Sequence, residues 1–195
     1  MAIRELTPEL VLAGYRAGIF PMAPNRSSSE VYWFSPDPRG ILPLEGFHVP
    51  RTLQRLYRQG RFEIRINTAF EAVIRACADR PETWISERLI EVYTQLHRQG
   101  WAHSVETWQH GELVGGLYGV AMGGVFFGES MFHRVPDASK VALLALVERL
   151  RERRFALLDI QWVTPHLARF GAIEIPRSEY LRRLEEALRI ETTFL

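Results

Sequence analysis

The chain has 195 residues, of which 47% are hydrophobic and 11% aromatic, and its formal net charge is +1. This composition can fill the core of one domain with a small appendage, and the single cysteine excludes an internal disulfide framework. The charge excludes binding to nucleic acid by overall attraction alone. No apolar stretch approaches the roughly 18–20 residues of a membrane span. The first residues lack a secretory signal, so we expect a cytoplasmic protein without a membrane partner.

The basic residues are almost all arginines, since Lys140 is the one lysine among 24. The planar guanidinium of arginine suits bidentate phosphate contacts better than an ammonium group does. A bias in genomic base composition would produce the same excess. Composition therefore does not establish RNA binding.

The N-terminal part is predicted to consist of short elements joined by turns, because residues 1–50 contain seven of the 11 prolines. A helix is predicted to begin after Thr7, whose hydroxyl can cap it, with Pro8 in the first helical position. Residues 33–44 are predicted to be extended and broken by prolines. We therefore predict a small irregular N-terminal domain over residues 1–60.

The hydrophobic pattern becomes regular from residue 61 onward, which predicts a second domain over residues 61–195. Its predicted elements are a strand at 62–66, helices around 70–77 and between Ser86 and Gly100, strands at about 102–108, 112–119 and 124–132, a helix at about 138–153, a strand at 156–162, a short helix at 165–170, a strand at 172–175 and a last helix from about 178. This order predicts an α+β fold. It resembles the acetyltransferase (GNAT-type) fold, a mixed sheet with flanking helices.

The element order also allows a test for coenzyme A. Acetyltransferases of this type bind the CoA pyrophosphate on a glycine-rich turn before the long helix. The corresponding connection here, residues 133–139, contains no glycine. Backbone amides therefore cannot approach a pyrophosphate closely in the usual way, and the acyl donor is expected to be a different molecule.

Asp159 and Gln161 lie two residues apart in the predicted strand 156–162. Positions i and i+2 of a strand face the same side, so an acid and an amide are expected to stand together on an otherwise apolar segment. Neither residue contributes apolar burial, so we expect their replacement to leave folding intact. A strand end that emerges into solvent would explain the polar pair equally well.

Glu129 lies between two apolar pairs, 126–127 and 131–132, in a predicted central strand. An unpaired buried carboxylate is costly, so this residue needs a cation or water, or it lies at a bulge. Gly128 permits a bulge or a close backbone approach. We favour a position in a polar cleft over one at a surface edge.

Other candidate residues carry weaker signals. Cys77 shares an apolar helical face and is expected in the core rather than as a nucleophile. No two histidines have the helical spacing of metal ligands, so we predict no metal site. His166 opens the short helix after strand 156–162, where a capping role explains it as well as a catalytic one. Trp84 lies in a loop, where it can anchor packing or stack on a base.

Eight segments carry a resemblance to a known family, and they follow in family order from about residue 10 to 185. They are residues 15–21 (YRAGIFP), 33–39 (WFSPDPR), 83–85 (TWI), 103–106 (HSVE), 114–120 (VGGLYGV), 128–132 (GESMF), 138–140 (ASK) and 159–161 (DIQ). On these segments the chain resembles the bacterial leucyl/phenylalanyl-tRNA–protein transferase family.

The resemblance implies an acetyltransferase-like C-terminal domain with a smaller N-terminal domain beside it. It implies Leu-tRNA or Phe-tRNA as the donor, and acceptor proteins that begin with arginine or lysine. The product would carry an N-terminal residue that marks it for degradation by the N-degron route. The resemblance implies neither a metal nor another cofactor.

By the same resemblance, Asp159 and Gln161 form the catalytic pair. Gln161 is expected to hold the acceptor amine through its carbonyl, while Asp159 polarises or orients it. Glu129 would supply negative charge for the cationic acceptor or orient the amino group of the donor. Four residues match the apolar pocket for the donor side chain: Leu117, Phe126, Met131 and Leu143. Ordinary core positions would look the same.

Two groups of residues are expected to contact tRNA. Trp84 matches an aromatic position that stacks on the terminal adenosine. Family members commonly carry a second tryptophan where this chain has Met22, so one face of the adenosine is expected to rest on sulfur. The candidate phosphate contacts are Arg51, Arg55 and Arg58, whose spacing places them on one side of a predicted helix. They could also form an ordinary solvent-exposed helix face.

Two other functions remain open at this point. An acetyltransferase-like enzyme could use CoA despite the missing glycines. A catalytically silent RNA-binding or adaptor module is the second alternative, although such a module needs neither an acid–amide pair nor an apolar pocket beside it. We expect the chain to act as a monomer.

Overall fold

The computed structural model describes residues 5–195. Its helices are α1 (Pro8–Arg16), α2 (Arg51–Arg58), α3 (Phe70–Ala78), α4 (Glu87–Arg98), α5 (Ala138–Glu152), α6 (Pro165–Ala168) and α7 (Arg177–Leu188). Its strands are β1 (Phe20–Met22), β2 (Tyr32–Phe34), β3 (Arg39–Ile41), β4 (Glu63–Ile66), β5 (Ala102–Gln109), β6 (Glu112–Met122), β7 (Val125–His133), β8 (Leu157–Gln161) and β9 (Ile173–Ile175).

Seven of the strands form one mixed sheet in the order β4-β5-β6-β7-β8-β3-β9. The β7–β8 pair is parallel, and the other pairs are antiparallel. The parallel pair requires a crossover, which α5 provides. The predicted α+β class with a mixed sheet and flanking helices is therefore confirmed.

Side chains from alternate positions of β6 enter two hydrophobic clusters. Tyr118 and Val120 belong to the cluster that contains α1, α3 and α4, whereas Leu117 and Ala121 belong to the cluster that contains α5. Because side chains alternate between the faces of a strand, both faces of the sheet are covered. This double burial explains why β6 is apolar almost throughout.

Two predicted helix starts are confirmed by their caps. The hydroxyl of Thr7 accepts a hydrogen bond from the amide of Leu10 at 3.3 Å, and Pro8 occupies the first turn of α1. The hydroxyl of Ser86 accepts from the amide of Leu89 at 3.4 Å. Such caps satisfy amide groups that have no partner within the helix.

The three short strands of the N-terminal part were not predicted individually. β1 and β2 pair as a separate hairpin, and β3 lies between β8 and β9 in the main sheet. A strand of three residues is too short to show an alternating pattern. The boundary between residues 60 and 61 stays a prediction, but part of segment 1–60 belongs to the main sheet. Among residues 5–195, no helix combines the length and the apolar character that crossing a membrane requires.

Candidate active site

A cleft opens where β7 and β8 separate. The two strands pair at Val125 with Leu157, Phe126 with Leu158 and Phe127 with Asp159, and no further. Beyond this point β7 continues to His133, while β8 ends two residues later. The cavity between them has a volume of about 290 Å³.

The cleft is mainly apolar, with a few polar groups in its lining. Glu129 enters it from β7 and Gln161 from the end of β8. This is the usual composition of a small-molecule site, in which apolar walls supply affinity and a few polar groups fix orientation. The apolar walls include Phe20, Met22, Trp84, Leu117, Leu143, Leu146, Leu158 and Leu167.

A β-bulge directs Glu129 into this cleft. Tyr118 of β6 pairs with Ser130 and Gly119 pairs with Gly128, so Glu129 is an extra residue in β7. The strands are close here, since a Cβ on Gly119 would lie 2.3 Å from the carbonyl oxygen of Phe127. The favoured position of Glu129 in a cleft is confirmed, and the bulge, which was the alternative, is present as well. Glycine at 119 is required by the close approach.

Two buried tyrosines contact Glu129 instead of the expected cation. The hydroxyl of Tyr15 donates a short hydrogen bond to Oε1 of Glu129, and the hydroxyls of Tyr15 and Tyr93 lie 2.5 Å apart. The two tyrosine hydroxyls are therefore hydrogen-bonded to each other as well. Burial raises the pKa of both tyrosines well above the ordinary value, so they remain donors.

Desolvation raises the pKa of Glu129 to about 8. The hydrogen bond from Tyr15 opposes this shift, and the negative charge of Asp159 contributes to it. The carboxyl group is therefore mostly protonated at pH 7 and ionised above pH 8. A group that titrates here suits proton transfer at neutral pH.

This shifted pKa predicts how stability depends on pH. Between the ordinary pKa of 4.5 and about 8, the folded chain binds a proton at Glu129 that the unfolded chain has lost. The contribution of Glu129 to the free energy of unfolding must therefore fall as pH rises through this window. We expect Glu129→Gln to reduce the fall in the free energy of unfolding between pH 5 and pH 8, measured by urea denaturation at pH 5, 6.5 and 8. The exposed-site control Glu112→Gln should show the same fall as wild type. An unchanged slope in Glu129→Gln would contradict the shifted pKa.

Asp159 is completely buried in an ion pair with Arg39 of β3. Nη2 of Arg39 lies 2.7 Å from Oδ2 of Asp159, and Nε lies 3.1 Å from Oδ1. The hydroxyl of Tyr180 donates to Oδ2 at 2.7 Å. The guanidinium of Arg39 also lies over two aromatic rings, 4.8 Å from the centroid of Phe20 and 4.2 Å from that of Tyr180.

Asp159 does not line the cleft, although its Oδ1 lies 2.9 Å from the amide nitrogen of Gln161. Its carboxylate faces Arg39 and Tyr180 instead. Gln161 has a φ of 63°, a left-handed conformation outside the strand geometry on which the same-side expectation rested. Such conformations are uncommon for residues other than glycine and cluster at functional sites.

The two residues are linked through the backbone. The amide of Gln161 donates to Oδ1 of Asp159 at 2.9 Å. The side chain of Gln161 is 6% exposed, and its Nε2 has no hydrogen-bond partner among residues 5–195. Asp159 thus holds the backbone of Gln161, whose side chain presents an amide to the cleft.

Three of the four predicted pocket residues line the cleft, namely Leu117, Met131 and Leu143. Phe126 does not. It is fully buried in the core, with its ring centroid 5.2 Å from that of Phe194. Its ring packs on Phe194 in the cluster that contains α5, although its register partner Leu158 does line the cleft.

The two residues predicted to contact adenosine also line the cleft. Trp84 lies in the loop between α3 and α4, and Met22 ends β1. The amide of Ala23 donates to the carbonyl oxygen of Trp84 at 3.1 Å, which holds the two segments side by side. Both side chains pack at the edge of the same hydrophobic cluster.

The three candidate phosphate contacts, Arg51, Arg55 and Arg58, are exposed on α2. None of them lines the cleft. The opposite side of α2 packs on α5, where the hydroxyl of Tyr57 donates to Oε2 of Glu148 at 2.8 Å. The structure thus separates these arginines from the residues that enclose the cavity.

Two weaker candidates are also placed. Cys77 is buried, and desolvation raises the pKa of its thiol to about 12, so the predicted core role is confirmed. His166 lines the cleft, but the cap of α6 is Thr164, whose hydroxyl accepts from the amide of Leu167 at 3.2 Å. Desolvation lowers the pKa of His166.

Four site residues were not singled out from the sequence: Tyr15, Arg39, Tyr93 and Tyr180. Tyr15 and Arg39 lie within the family segments 15–21 and 33–39, which was a usable signal. Tyr93 and Tyr180 lie on helical faces that look like ordinary core positions. Their partners are 78 and 21 residues away in the chain.

Comparisons with known proteins identify the family. A family model described as "Leucyl/phenylalanyl-tRNA protein transferase" matches residues 41–185, and the model of that protein's N-terminal domain matches residues 4–37. Among solved structures, L-PGS from Bacillus licheniformis is similar with a TM-score of 0.48 and 9% identity, over 78% of this chain and 65% of that chain.

Curated relatives match almost end to end, and those that follow are named leucyl/phenylalanyl-tRNA–protein transferase. The relative from Herpetosiphon aurantiacus is 57% identical, over 98% of this chain and 99% of that protein. The relative from Gloeobacter violaceus is 58% identical, over 97% of each. The relative from Paramagnetospirillum magneticum is 58% identical, over 95% of this chain and 91% of that protein. The chain therefore belongs to the leucyl/phenylalanyl-tRNA–protein transferase family.

Proposed function

We propose that this chain transfers leucine or phenylalanine from a charged tRNA to the N-terminal amine of proteins that begin with arginine or lysine. The observation that supports this most is the apolar cleft lined by Glu129 and Gln161, in a chain 57–58% identical to the three named transferases. The product would enter degradation by the N-degron route. An acetyltransferase-type arrangement suits this acyl transfer, because its separated strands provide the cleft.

The reaction is aminolysis of an ester. The neutral α-amine of the acceptor attacks the ester carbonyl, a C–N bond forms, and the bond to the ribose oxygen breaks. One amine proton must leave, and the ribose oxygen must gain one. The enzyme has to position the two reactants, accept the proton and stabilise the tetrahedral oxyanion.

The donor side chain would occupy the apolar part of the cleft between Leu117, Met131 and Leu143. A cavity of about 290 Å³ with these walls admits leucine or phenylalanine. The flexible thioether of Met131 can adjust to both shapes. The terminal adenosine would lie against Trp84, with the sulfur of Met22 on its other side.

Gln161 would act directly on the reactants. Its buried amide can accept from the attacking amine through the carbonyl and donate to the developing oxyanion through the free Nε2. Preorganised donors of this kind contribute most where water is excluded. Asp159 would act as a positioning residue, because it holds the backbone amide of Gln161 and is itself fixed by Arg39 and Tyr180.

Glu129 would serve the acceptor. Its pKa of about 8 lies close to the ordinary range of an α-amino group, about 7.7–8.0, so the carboxylate can receive the proton that the amine loses. Its negative charge would also attract the cationic first residue. The hydrogen bond from Tyr15 orients the carboxyl group.

The proposed activity is tested by incubating the enzyme with radiolabelled Leu-tRNA and a peptide that begins with arginine. We expect label in the peptide, located on its α-amine by mass spectrometry. Acetyl-CoA serves as the parallel donor. Acetylation of the peptide without leucyl transfer would support the CoA-dependent alternative and overturn the proposal.

The role of Glu129 predicts a pH-dependent loss of acceptor preference. Removing an ionised partner costs about 1.5–3 kcal/mol, or about ten- to a hundred-fold. At pH 8.5, where Glu129 is ionised, we expect Glu129→Gln to reduce the preference for an arginine over a norleucine peptide by that factor. At pH 6.5 the effect should be much smaller, because Glu129 is then protonated. The measurement is kcat/KM for both peptides at both pH values.

The peptide amine titrates in the same way with both enzymes, so its effect cancels in the ratio of wild-type to variant kcat/KM. Equal slowing of the two peptides at both pH values would assign Glu129 to the donor or to the fold instead. A wild-type enzyme without any preference for arginine would contradict the proposed acceptor class.

A further inference from the structure

A second cavity of about 920 Å³ opens beside the cleft, and we call it the groove. It runs along the connection between β7 and α5. The cleft and the groove share Arg80, Met131 and His166, so one leads into the other. Its charged and polar lining also includes Asp79, Arg134, Asp137, Ser139 and Lys140.

The groove carries positive charge. Arg80, Arg134 and Lys140 line it against two acids, Asp79 and Asp137, of which Asp137 pairs with Lys140 at 2.9 Å. The positive charges of Lys140, Arg169 and His133 add to desolvation in lowering the pKa of His166 at the junction. The local field therefore favours anions.

Two arginines of the groove are anchored but keep donors free. Nη2 of Arg80 donates to the carbonyl oxygen of Met131 at 2.6 Å and to Oγ of Ser130 at 3.3 Å. Nη1 of Arg134 donates to the carbonyl oxygen of Leu113 at 3.3 Å. A guanidinium has five donors, so each arginine retains several for a ligand. Fixed arginines of this kind suit phosphate.

The groove occupies the place where glycine-rich turns bind pyrophosphate in acetyltransferases. Here side chains replace the missing backbone cradle. The α5 helix begins at Ala138, and the nearly buried Ser139 lines the groove. The N-terminus of a helix of 15 residues adds to the positive potential already set by the arginines.

We propose that the groove binds the backbone phosphates of the single-stranded 3′ end of the donor tRNA, an inference that rests on the proposed function. One loop between α3 and α4 carries both Trp84, which faces the cleft, and Arg80, which faces cleft and groove. A terminal base against Trp84 would therefore place the preceding phosphates at Arg80. The acceptor polypeptide is a poor occupant, because its first residue is a cation.

Three donors of increasing size test this assignment: leucyl-adenosine without phosphates, the leucylated trinucleotide CCA, and Leu-tRNA. The test variant is Arg134→Gln with Lys140→Gln, and Arg80→Gln is measured separately. The control is Arg98→Gln, an exposed arginine outside both cavities. A second comparison replaces the α2 arginines, Arg51, Arg55 and Arg58, by Gln.

We expect the double variant to raise KM about tenfold for Leu-CCA and Leu-tRNA at low salt, and to leave leucyl-adenosine unchanged. The plot of log affinity against log salt concentration should become less steep, by about 0.7 in slope for each lost phosphate contact. The α2 variant should weaken only Leu-tRNA, because it would contact a more distant part of the molecule. Arg98→Gln should match wild type for all donors.

If the double variant weakens the binding of all three donors equally, or of none of them, the groove assignment is overturned. A raised KM for the arginine peptide with unchanged donors would assign the groove to the acceptor and also overturn it. A wild type that transfers leucine from none of the donors would refute the proposed function, and the groove assignment would fall with it. Normal transfer from leucyl-adenosine by the wild type would show that the proposed function holds even if the groove assignment fails.

Discussion

Replacing Gln161 with alanine is expected to slow leucyl transfer by about 10²–10⁴-fold while the folded structure persists. The loss follows from removing a group that positions the amine and the oxyanion in the cleft. Stability should change by less than about 1 kcal/mol, because the buried Nε2 has no partner to lose and its removal relieves a desolvated group. The measurements are single-turnover transfer and urea denaturation.

Gln161→Gly separates chemistry from backbone conformation. Glycine adopts the φ of 63° without the steric cost of a side chain, about 1–2 kcal/mol. The glycine variant should therefore be more stable than the alanine variant and equally slow. Wild-type turnover by either variant in a folded state would contradict the role of Gln161.

Replacing Asp159 with alanine is expected to lower the free energy of unfolding by about 3–5 kcal/mol and also to slow transfer. Both side chains of the Asp159–Arg39 pair are completely buried, so the change leaves an uncompensated guanidinium in the core. This corrects the expectation that folding would be unaffected. Loss of the bond to the backbone of Gln161 should slow catalysis in the molecules that still fold.

Glu186→Ala is the matched control for this substitution. Glu186 pairs with Arg182 at 2.6 Å, but both side chains are more than half exposed. Such a pair contributes about 0–1 kcal/mol. Equal destabilisation by the two substitutions would show that burial of the Asp159 pair has no special weight. Asp159→Asn, measured at a urea concentration where it remains folded, isolates the catalytic effect.

The long elements could be predicted because their patterns repeat. The strands β5 to β8 and the helix α5 were located within a few residues, since each has enough positions to show a period of two or of 3.6. β1, β2 and β3 have three residues each and show no such period. β3 joins the main sheet through pairing with residues about 120 positions later, which no local pattern reports.

The same limit applies to the site residues, because those with distant partners in the chain were predicted less well. The placement of Glu129 in a cleft followed from one acid among apolar neighbours next to a glycine. The burial of Asp159 did not follow, because it depends on Arg39, which is 120 residues away. Phe126 was assigned to the pocket, yet its ring packs on Phe194, which is 68 residues later in the chain. Distances along the chain therefore limited the prediction more than chemistry did.

The most direct test of the proposed active site is a crystal structure with a non-hydrolysable phenylalanyl-adenosine amide. We predict the adenine against Trp84, the phenyl ring among Leu117, Met131 and Leu143, and the amide within hydrogen-bonding distance of Gln161. Glu129 should face the side from which an acceptor amine would attack. An adenine bound elsewhere, or an amide turned away from Gln161, would contradict the account.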